Sequence, residues 1–174
     1  VSYSQNYIVP VNPYQDTVNL GDSSQVIVGA KIVMTESDGT VTVLTTDANG
    51  QVTIPTTANT YTLSASLNET GNDPISLLDA IWILQYIGEI RTFTPEQLLA
   101  ADVTGDGEVD LLDAVYILQH LGELRTLDSE FIFLDSYTGQ PLSEKTFNPG
   151  DSPSIVVVQK GDVDHSFDIN TINS

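Results

Sequence analysis

The feature that most constrains this chain is an internal repeat with a period of 34 residues. Residues 68–92 align without gaps on residues 102–126, and 13 of the 25 aligned positions are identical. Each copy has a polar segment followed by one apolar stretch of helical length. A tetratricopeptide repeat, which has the same period, would need two helices in each copy. The repeat therefore predicts two loop–helix units in the middle of the chain.

A short helix is predicted between the two copies. In the run Thr94-Pro95-Glu96-Gln97, Thr94 suits the N-cap and Pro95 suits the first helical position. Gln97 stands three residues after the cap and completes a capping box. The segment from 68 to 128 is therefore predicted to form one helical module.

Strands are predicted on both sides of the repeat. Apolar and polar residues alternate strictly over 61–67, as in a half-buried strand. Further β-branched runs occupy 26–34, 41–44, 52–54, 131–134 and 154–158. The order of strands and turns in the first part resembles carboxypeptidase-regulatory and bacterial Ig-like modules of secreted proteins.

Two or three strands at each end are too few for two separate sandwiches. We therefore predict an α+β chain in which both chain ends build one antiparallel β-sandwich. The sandwich comprises residues 1–67 and 129–174, and the helical module at residues 68–128 is inserted between its strands.

The second copy has oxygen-bearing residues at the spacing of an EF-hand calcium loop. Side-chain ligands stand at loop positions one, three, five, nine and twelve, and Gly107 stands at position six, where the chain turns sharply. Position seven contributes a backbone carbonyl. The predicted ligands of Ca²⁺ are Asp102, Thr104, Asp106, Glu108, Asp110 and Asp113. A solvated Asp-rich turn is the alternative, but five matching positions followed by a helix favour the metal site.

The first copy keeps this spacing but has lost most of its carboxylates. Its loop positions hold Asn68, Thr70, Asn72, Pro74, Ser76 and Asp79. One carboxylate in place of four removes most of the attraction that offsets dehydration of the ion. We expect a loop retained for its shape, and neutral oxygens leave weak calcium binding there as the alternative.

A third partial match to the loop spacing lies near the end of the sequence. Its residues are Asp162, Asp164, Ser166, Asp168, Asn170 and Asn173. Phe167 stands where glycine is required, and no helix is predicted to follow. This stretch is therefore expected to be a polar chain terminus.

The run from Asp102 to Ala114, with the following Ile117, Leu118 and Leu121, resembles a dockerin of type I. Dockerins are the calcium-dependent docking modules of cellulosomes and other secreted proteins, and the resemblance covers about residues 68–128. It implies a Ca²⁺ cofactor, an extracellular or cell-surface location and, as partner, a cohesin. It also implies that the two ends of the module lie close together, as insertion between neighbouring strands requires.

The two repeat helices are apolar on more faces than they can bury against each other. In dockerins the residues just before the closing Asp are small hydroxyl residues that contact cohesin, and here they are leucines. This candidate interaction surface consists of Leu77, Leu78, Leu111 and Leu112. Because wide apolar patches are rare on soluble monomers, we expect these leucines to pack on the β domain of the same chain.

Charge and composition exclude several functions. Twenty-four acidic residues against 5 basic ones give a formal net charge of −19, which repels phosphate backbones and anionic lipid surfaces. The chain has no cysteine and only 2 histidines, so thiolate chemistry is excluded and imidazole chemistry is disfavoured. We therefore expect no nucleic-acid partner and no membrane insertion, and we do not expect an enzyme.

These observations favour a calcium-binding structural or interaction module of a larger secreted or cell-surface protein. Calcium would order a dockerin-like helix pair that packs on a β-sandwich. One alternative is a true dockerin that recruits a cohesin-bearing partner in a polysaccharide-degrading assembly. Another is a carbohydrate-binding β-sandwich, for which the candidate aromatic residues are Tyr3, Tyr7, Tyr14 and Tyr137.

Overall fold

The computed structural model of the protein describes residues 15–20, 26–55, 59–67 and 73–166. Within these residues five strands come first, then three α-helices, then three strands, so the α+β class is confirmed. The first strands are β1 (Gln15–Leu20), β2 (Lys31–Glu36), β3 (Val41–Thr45), β4 (Gln51–Pro55) and β5 (Tyr61–Ser66). The helices are α1 (Leu77–Ile87), α2 (Pro95–Ala101) and α3 (Leu111–Leu121). The last strands are β6 (Phe131–Asp135), β7 (Thr146–Phe147) and β8 (Ser154–Gln159).

The strands form two four-stranded sheets. One sheet has the order β4-β1-β8-β6, in which β1 pairs antiparallel with β4 and parallel with β8. The other has the order β3-β2-β5-β7 and is antiparallel throughout. Strands from both parts of the sequence therefore meet in each sheet, while the packing of the two sheets as a sandwich stays a prediction.

Alternation of side chains explains the buried face of the second sheet. In β2, Ile32 and Met34 are fully buried, and β5 contributes Tyr61 and Leu63 to the same core. The ring of Tyr61 stacks on Phe147 of β7, with ring centroids 5.6 Å apart. This contact brings a residue from late in the sequence into the core of the first strands.

The chain divides into two compact units. One consists of residues 1–67 and 133–156, and the other of residues 68–132 and 157–174. The predicted domain boundaries, which assign 129–174 as a whole to the β-sandwich, stay a prediction. In the second unit, Val163 is buried among the residues of the helices, so the segment around it belongs to the helical core.

The two repeat helices pack on each other through small and branched residues. The buried residues of the helical core are Ile75, Ala80, Ile83, Ala101, Ala114, Ile117 and Val163. Ala80 and Ile83 of α1 stand at the same repeat positions as Ala114 and Ile117 of α3. Alanine at the contact lets the two helices approach closely.

The helix boundaries follow from local capping interactions, of which the sequence predicts the capping box at Thr94. The side chain of Thr94 accepts a hydrogen bond from the backbone N–H of Gln97 at 3.2 Å, which confirms the capping box of α2. Both repeat helices end in the same way, because Glu89 and Glu123 adopt left-handed backbone angles after the C-cap glycines. The N–H groups of Ile90 and Leu124 then bond back to Gln85 and Gln119 O at 2.8 Å, as in a Schellman motif.

The segment after β8 approaches the helices closely at Gly161. Its N–H donates to the carbonyl of Ala100 at 2.8 Å, and its φ is +91°. A Cβ at this position would lie 2.6 Å from Cδ1 of Ile75. Glycine is therefore required here for two reasons, the backbone angle and the space.

We predict that Gly161→Ala destabilises the protein by about 2–4 kcal/mol, the sum of backbone strain and overpacking. Gly150→Ala is the matched control, since its φ is +96° but nothing lies within 4 Å of the new Cβ. Calorimetric unfolding of the full chain should show a clearly larger loss for Gly161→Ala. Equal losses for the two variants would contradict the close contact with Ile75.

Candidate calcium loop and interaction surface

The loop from Asp102 to Asp113 is folded around the carboxylate of its first residue. Oδ1 of Asp102 accepts the N–H of Gly105 at 2.8 Å and of Asp106 at 3.2 Å, and Oδ2 accepts the N–H of Gly107 at 2.9 Å. Gly107 has φ of +93°, a left-handed angle that favours glycine at the turn. The loop therefore makes the sharp turn at position six that its spacing predicts.

Asp113 closes the loop from the first turn of α3. It is fully buried, and its two oxygens accept the N–H of Thr104 at 3.1 Å and the N–H of Asp110 at 2.8 Å. Burial raises the pKa of Asp113, and the nearby charge of Asp102 raises it further, while these N–H donors lower it. A cation in the loop would relieve the cost of holding this carboxylate ionised.

The donor set of this loop suits a hard cation. Asp102, Asp106, Asp110 and Asp113 offer carboxylates, and Thr104 offers a hydroxyl. Asp106 and Asp110 are exposed, so solvent and ions reach this end of the loop. Oxygen ligands of this kind, together with the carbonyl of Glu108, are those that Ca²⁺ takes in EF-hand loops. The residues fit the ion, and the ligand assignment itself stays a prediction.

The first copy is only partly described. Asn68, Thr70 and Asn72 lie outside the described residues, so the structure adds nothing about them. Ser76 is the N-cap of α1, and its N–H donates to Oδ2 of Asp79 at 2.8 Å. Asp79 is fully buried at the position of α1 that corresponds to Asp113 in α3.

Oδ1 of Asp79 receives its hydrogen bonds from the far end of the chain. The N–H of Val163 donates at 2.7 Å and the N–H of Asp164 at 3.0 Å. Burial raises the pKa of Asp79 to about 7 despite these donors, and the charges of Asp164 and Asp162 add to the increase. The closing aspartate of the first copy is therefore bonded to a segment that lies outside the repeat in the sequence.

Asp162 and Asp164 lie in this segment, within a stretch that the sequence predicts to be a polar terminus. Asp162 is 1% exposed, so the expectation of a polar terminus at residues 162–166 is wrong. Oxygen atoms of Asp79, Asp162 and Asp164 lie within 4.8 Å of one another, close enough for one metal ion. The signal was present in the sequence, since Asp162-Val163 repeats Asp102-Val103 with the next ligand position two residues on. Asp168, Asn170 and Asn173 lie outside the described residues.

The four leucines of the candidate interaction surface are exposed. Leu77 and Leu111 keep 56% and 60% of their surface in solvent, and Leu78 and Leu112 keep 43% and 46%. Their burial against the β domain of the same chain stays a prediction. The helical core uses the opposite side of each helix, and these first-turn leucines point away from it.

Aromatic residues of the helical module serve its packing. Arg91 lies over the ring of Trp82 at 3.8 Å, and Arg125 lies over Tyr116 at 3.6 Å, at equivalent positions of the two copies. Tyr86 stacks on Phe93 with ring centroids 4.6 Å apart. Of the four tyrosines considered for carbohydrate binding, Tyr137 is described and exposed, while Tyr3, Tyr7 and Tyr14 lie outside the described residues.

Comparison with known protein families supports a dockerin domain. Residues 70–122 match the family model of the dockerin type I domain, which includes both repeat helices and the 102–113 loop. A dockerin domain suggests a calcium-binding module for protein–protein interaction. Comparison with curated proteins and with solved structures gives no match.

Among the described residues, no helix has the length and apolar character to cross a bilayer.

We predict that Asp106→Asn weakens calcium binding by the 102–113 loop without unfolding the protein. Asp106 is exposed, so loss of its charge removes attraction for the ion but little packing. At calcium a hundred-fold above the dissociation constant, one site adds about 2.7 kcal/mol to stability, and the variant should lose part of that gain.

The measurement is thermal unfolding with calcium and with EGTA. The matched control is Asp128→Asn, which removes an exposed carboxylate outside the loop. An equal calcium-dependent shift in the Asp106 and Asp128 variants would contradict the assignment of Asp106 as a ligand.

Proposed function

We propose that this chain is a calcium-ordered docking module whose helix pair binds a cohesin-type partner. The observation that carries the proposal is the exposure of equivalent leucines on both helices, within a segment that matches the dockerin type I family. Exposed apolar patches mark protein interaction sites, and the first turn of each helix contributes two adjacent exposed leucines.

The geometry suggests how calcium would act on the docking surface. Asp113 belongs to the predicted calcium loop and lies one residue after Leu112 in the first turn of α3. Its carboxylate bonds to Thr104 and Asp110, so the loop and the start of the helix form one hydrogen-bonded unit. An ion held by this loop would fix where α3 begins and so hold Leu111 and Leu112 in place.

The chemistry of the surface favours a partner with an apolar face. At the positions where dockerins carry small hydroxyl residues, this chain has leucines, and further exposed apolar residues follow on the same helices. These are Ile81, Leu84 and Ile87 of α1, with Leu118 and Leu121 of α3. A partner that covers them gains hydrophobic free energy, and its specificity would differ from that of a cohesin adapted to polar contacts.

The wider context is also part of the proposal. Dockerin domains usually occur in secreted proteins, and we propose that this module belongs to a larger secreted or cell-surface protein. Recruitment into a polysaccharide-degrading assembly would match that setting. The proposed role of the module is non-enzymatic: Asp110 and Asp113 serve the cap of α3, and the carboxylates of the 102–113 loop are assigned to the predicted metal site.

The other two functions receive less support from the geometry. A purely structural module would use the helix faces for internal packing, and the helical core leaves the four first-turn leucines exposed. A carbohydrate site would need an aromatic platform, and Tyr137 is the one candidate among the described residues. Binding of a panel of glycans to the full chain is the test that would favour the carbohydrate function.

We predict that the double variant Leu111→Ser/Leu112→Ser reduces binding to a cohesin at least tenfold while the fold is retained. The full chain is titrated, with calcium and with EGTA, against a panel of immobilised cohesins. The control is Val43→Ser, which changes a similarly exposed apolar residue of β3. Loss of both leucines should cost less than about 1 kcal/mol of stability, whereas Ile117→Ala in the core should cost about 2–5 kcal/mol.

Two outcomes would contradict the proposal. In one, no cohesin of the panel binds the chain in calcium. In the other, a cohesin binds but is indifferent to Leu111→Ser/Leu112→Ser and to the equivalent Leu77→Ser/Leu78→Ser, so that the leucines are not the docking surface.

A further inference from the structure

A second metal site is suggested by the carboxylates around Asp79. Asp79 and Asp162 are buried, with 0% and 1% of their surface exposed, and one oxygen of each lies within 4.8 Å of an oxygen of Asp164. The oxygen ligands of one Ca²⁺ lie 2.3–2.6 Å from the ion, so they are separated by at most about 5 Å. The three carboxylates therefore have the spacing of a shared coordination shell.

The hydrogen bonds around Asp79 repeat those around Asp113. In the second copy, Thr104 N–H donates to Oδ1 of Asp113 at 3.1 Å, and in the first, Asp164 N–H donates to Oδ1 of Asp79 at 3.0 Å. Oδ2 of each closing aspartate accepts the N–H of its N-cap residue at 2.8 Å. Asp164 therefore takes, relative to α1, the place that Thr104 takes relative to α3.

The residues on either side of Asp164 extend this correspondence. Ser166 N–H donates to Oδ1 of Asp162 at 2.8 Å, as Asp106 N–H donates to Oδ1 of Asp102 at 3.2 Å. Val163 is buried in the helical core, and Val103 packs against the same core. Residues 162–166 thus reproduce the first half of a calcium loop, at positions one, three and five.

One carboxylate oxygen of this group lacks a hydrogen-bond donor. Oδ1 of Asp164 is buried and accepts no hydrogen bond from the described part of the chain. Neither Asp79 nor Asp164 forms an ion pair with a basic side chain there. A buried carboxylate oxygen without a donor is costly, and a cation is the group that satisfies several such oxygens at once.

We propose that residues 162–166 and the start of α1 form a discontinuous Ca²⁺ site, in which Asp162, Asp164 and Asp79 supply the carboxylates. The hydroxyl of Ser166 and the carbonyl of Pro74 lie 3.4 Å apart at this place and offer two further oxygens. Pro74 stands at position seven of the first copy, where EF-hand loops use a backbone carbonyl. This segment replaces the first half of a loop whose own ligand positions, Asn68, Thr70 and Asn72, carry no carboxylate.

This site has a consequence that the 102–113 loop does not have. An ion held by Asp79 and Asp162 joins residues 83 positions apart in the sequence. It would tie the segment after β8 to the helical core, since neither segment alone supplies all of its ligands. The inference does not depend on any docking partner, because none of its ligands lies on the leucine surface.

The test is the number of Ca²⁺ ions bound by the full chain, measured by isothermal titration calorimetry and by equilibrium dialysis. The wild-type chain should bind two, and Asp162→Asn/Asp164→Asn should bind one. Asp128→Asn/Glu144→Gln, which removes two exposed carboxylates outside both sites, is the charge-matched control and should bind two. Circular dichroism and the fluorescence of Trp82 establish that each variant is folded.

A second variant separates this site from a continuous loop in the first copy. Asn68→Ala/Thr70→Ala/Asn72→Ala changes the side chains that a continuous loop would use, and it should still bind two ions. A wild-type chain that binds one ion would overturn the proposal, as would an Asp162→Asn/Asp164→Asn chain that binds two. Loss of one ion in the Asn68/Thr70/Asn72 variant would also overturn it, in favour of the continuous loop.

Different experimental results would contradict the two proposed metal sites. If Asp106→Asn removes calcium binding while Asp162→Asn/Asp164→Asn changes nothing, the 102–113 loop stands and the discontinuous site does not. If hydrogen exchange at the N–H groups of Val163 and Asp164 is insensitive to calcium in the wild-type chain, the discontinuous site is again contradicted without the need for a variant.

Discussion

The helical unit depends on the hydrogen bonds that a buried aspartate accepts in the first turn of each repeat helix. Asp79 and Asp113 are both fully buried, and each accepts N–H groups from its own N-cap residue and from a second segment. A buried carboxylate is stable only where such donors or a cation satisfy it. The hydrogen bonds to Asp113 therefore connect the 102–113 loop to the start of α3. Those to Asp79 connect the start of α1 to the segment near Val163.

Each repeat helix has one face that packs in the helical core and another that is exposed to solvent. Ala80 and Ala114 allow the close approach of α1 and α3, and Ile83 and Ile117 fill the core between them. The first-turn leucines lie outside this contact and remain in solvent. Apolar residues all around a helix predict burial on several sides, and the inner face is the one that the helical core covers among the described residues.

Local features were predictable from the sequence because short-range interactions decide them. The repeat predicts two equivalent helices, and the structure confirms them, each beginning just before its closing aspartate. The capping box at Thr94 and the turn at Gly107 are confirmed for the same reason. The error at Asp162 and Asp164 arose because Phe167 and the missing helix argued against a continuous loop, whereas the helix that completes the arrangement is α1, far earlier in the sequence.

The sequence by itself determined the two loop–helix units, the cap of α2 and the turn of the 102–113 loop, since each depends on residues within about one loop and one helical turn of each other. The tertiary structure alone decided which faces of α1 and α3 are covered and which segment meets Asp79. Both outcomes depend on contacts between residues distant in sequence, such as Gly161 with Ile75 and Val163 with Asp79. No local spacing records such contacts, because they exist only once the chain has folded back on its own helices.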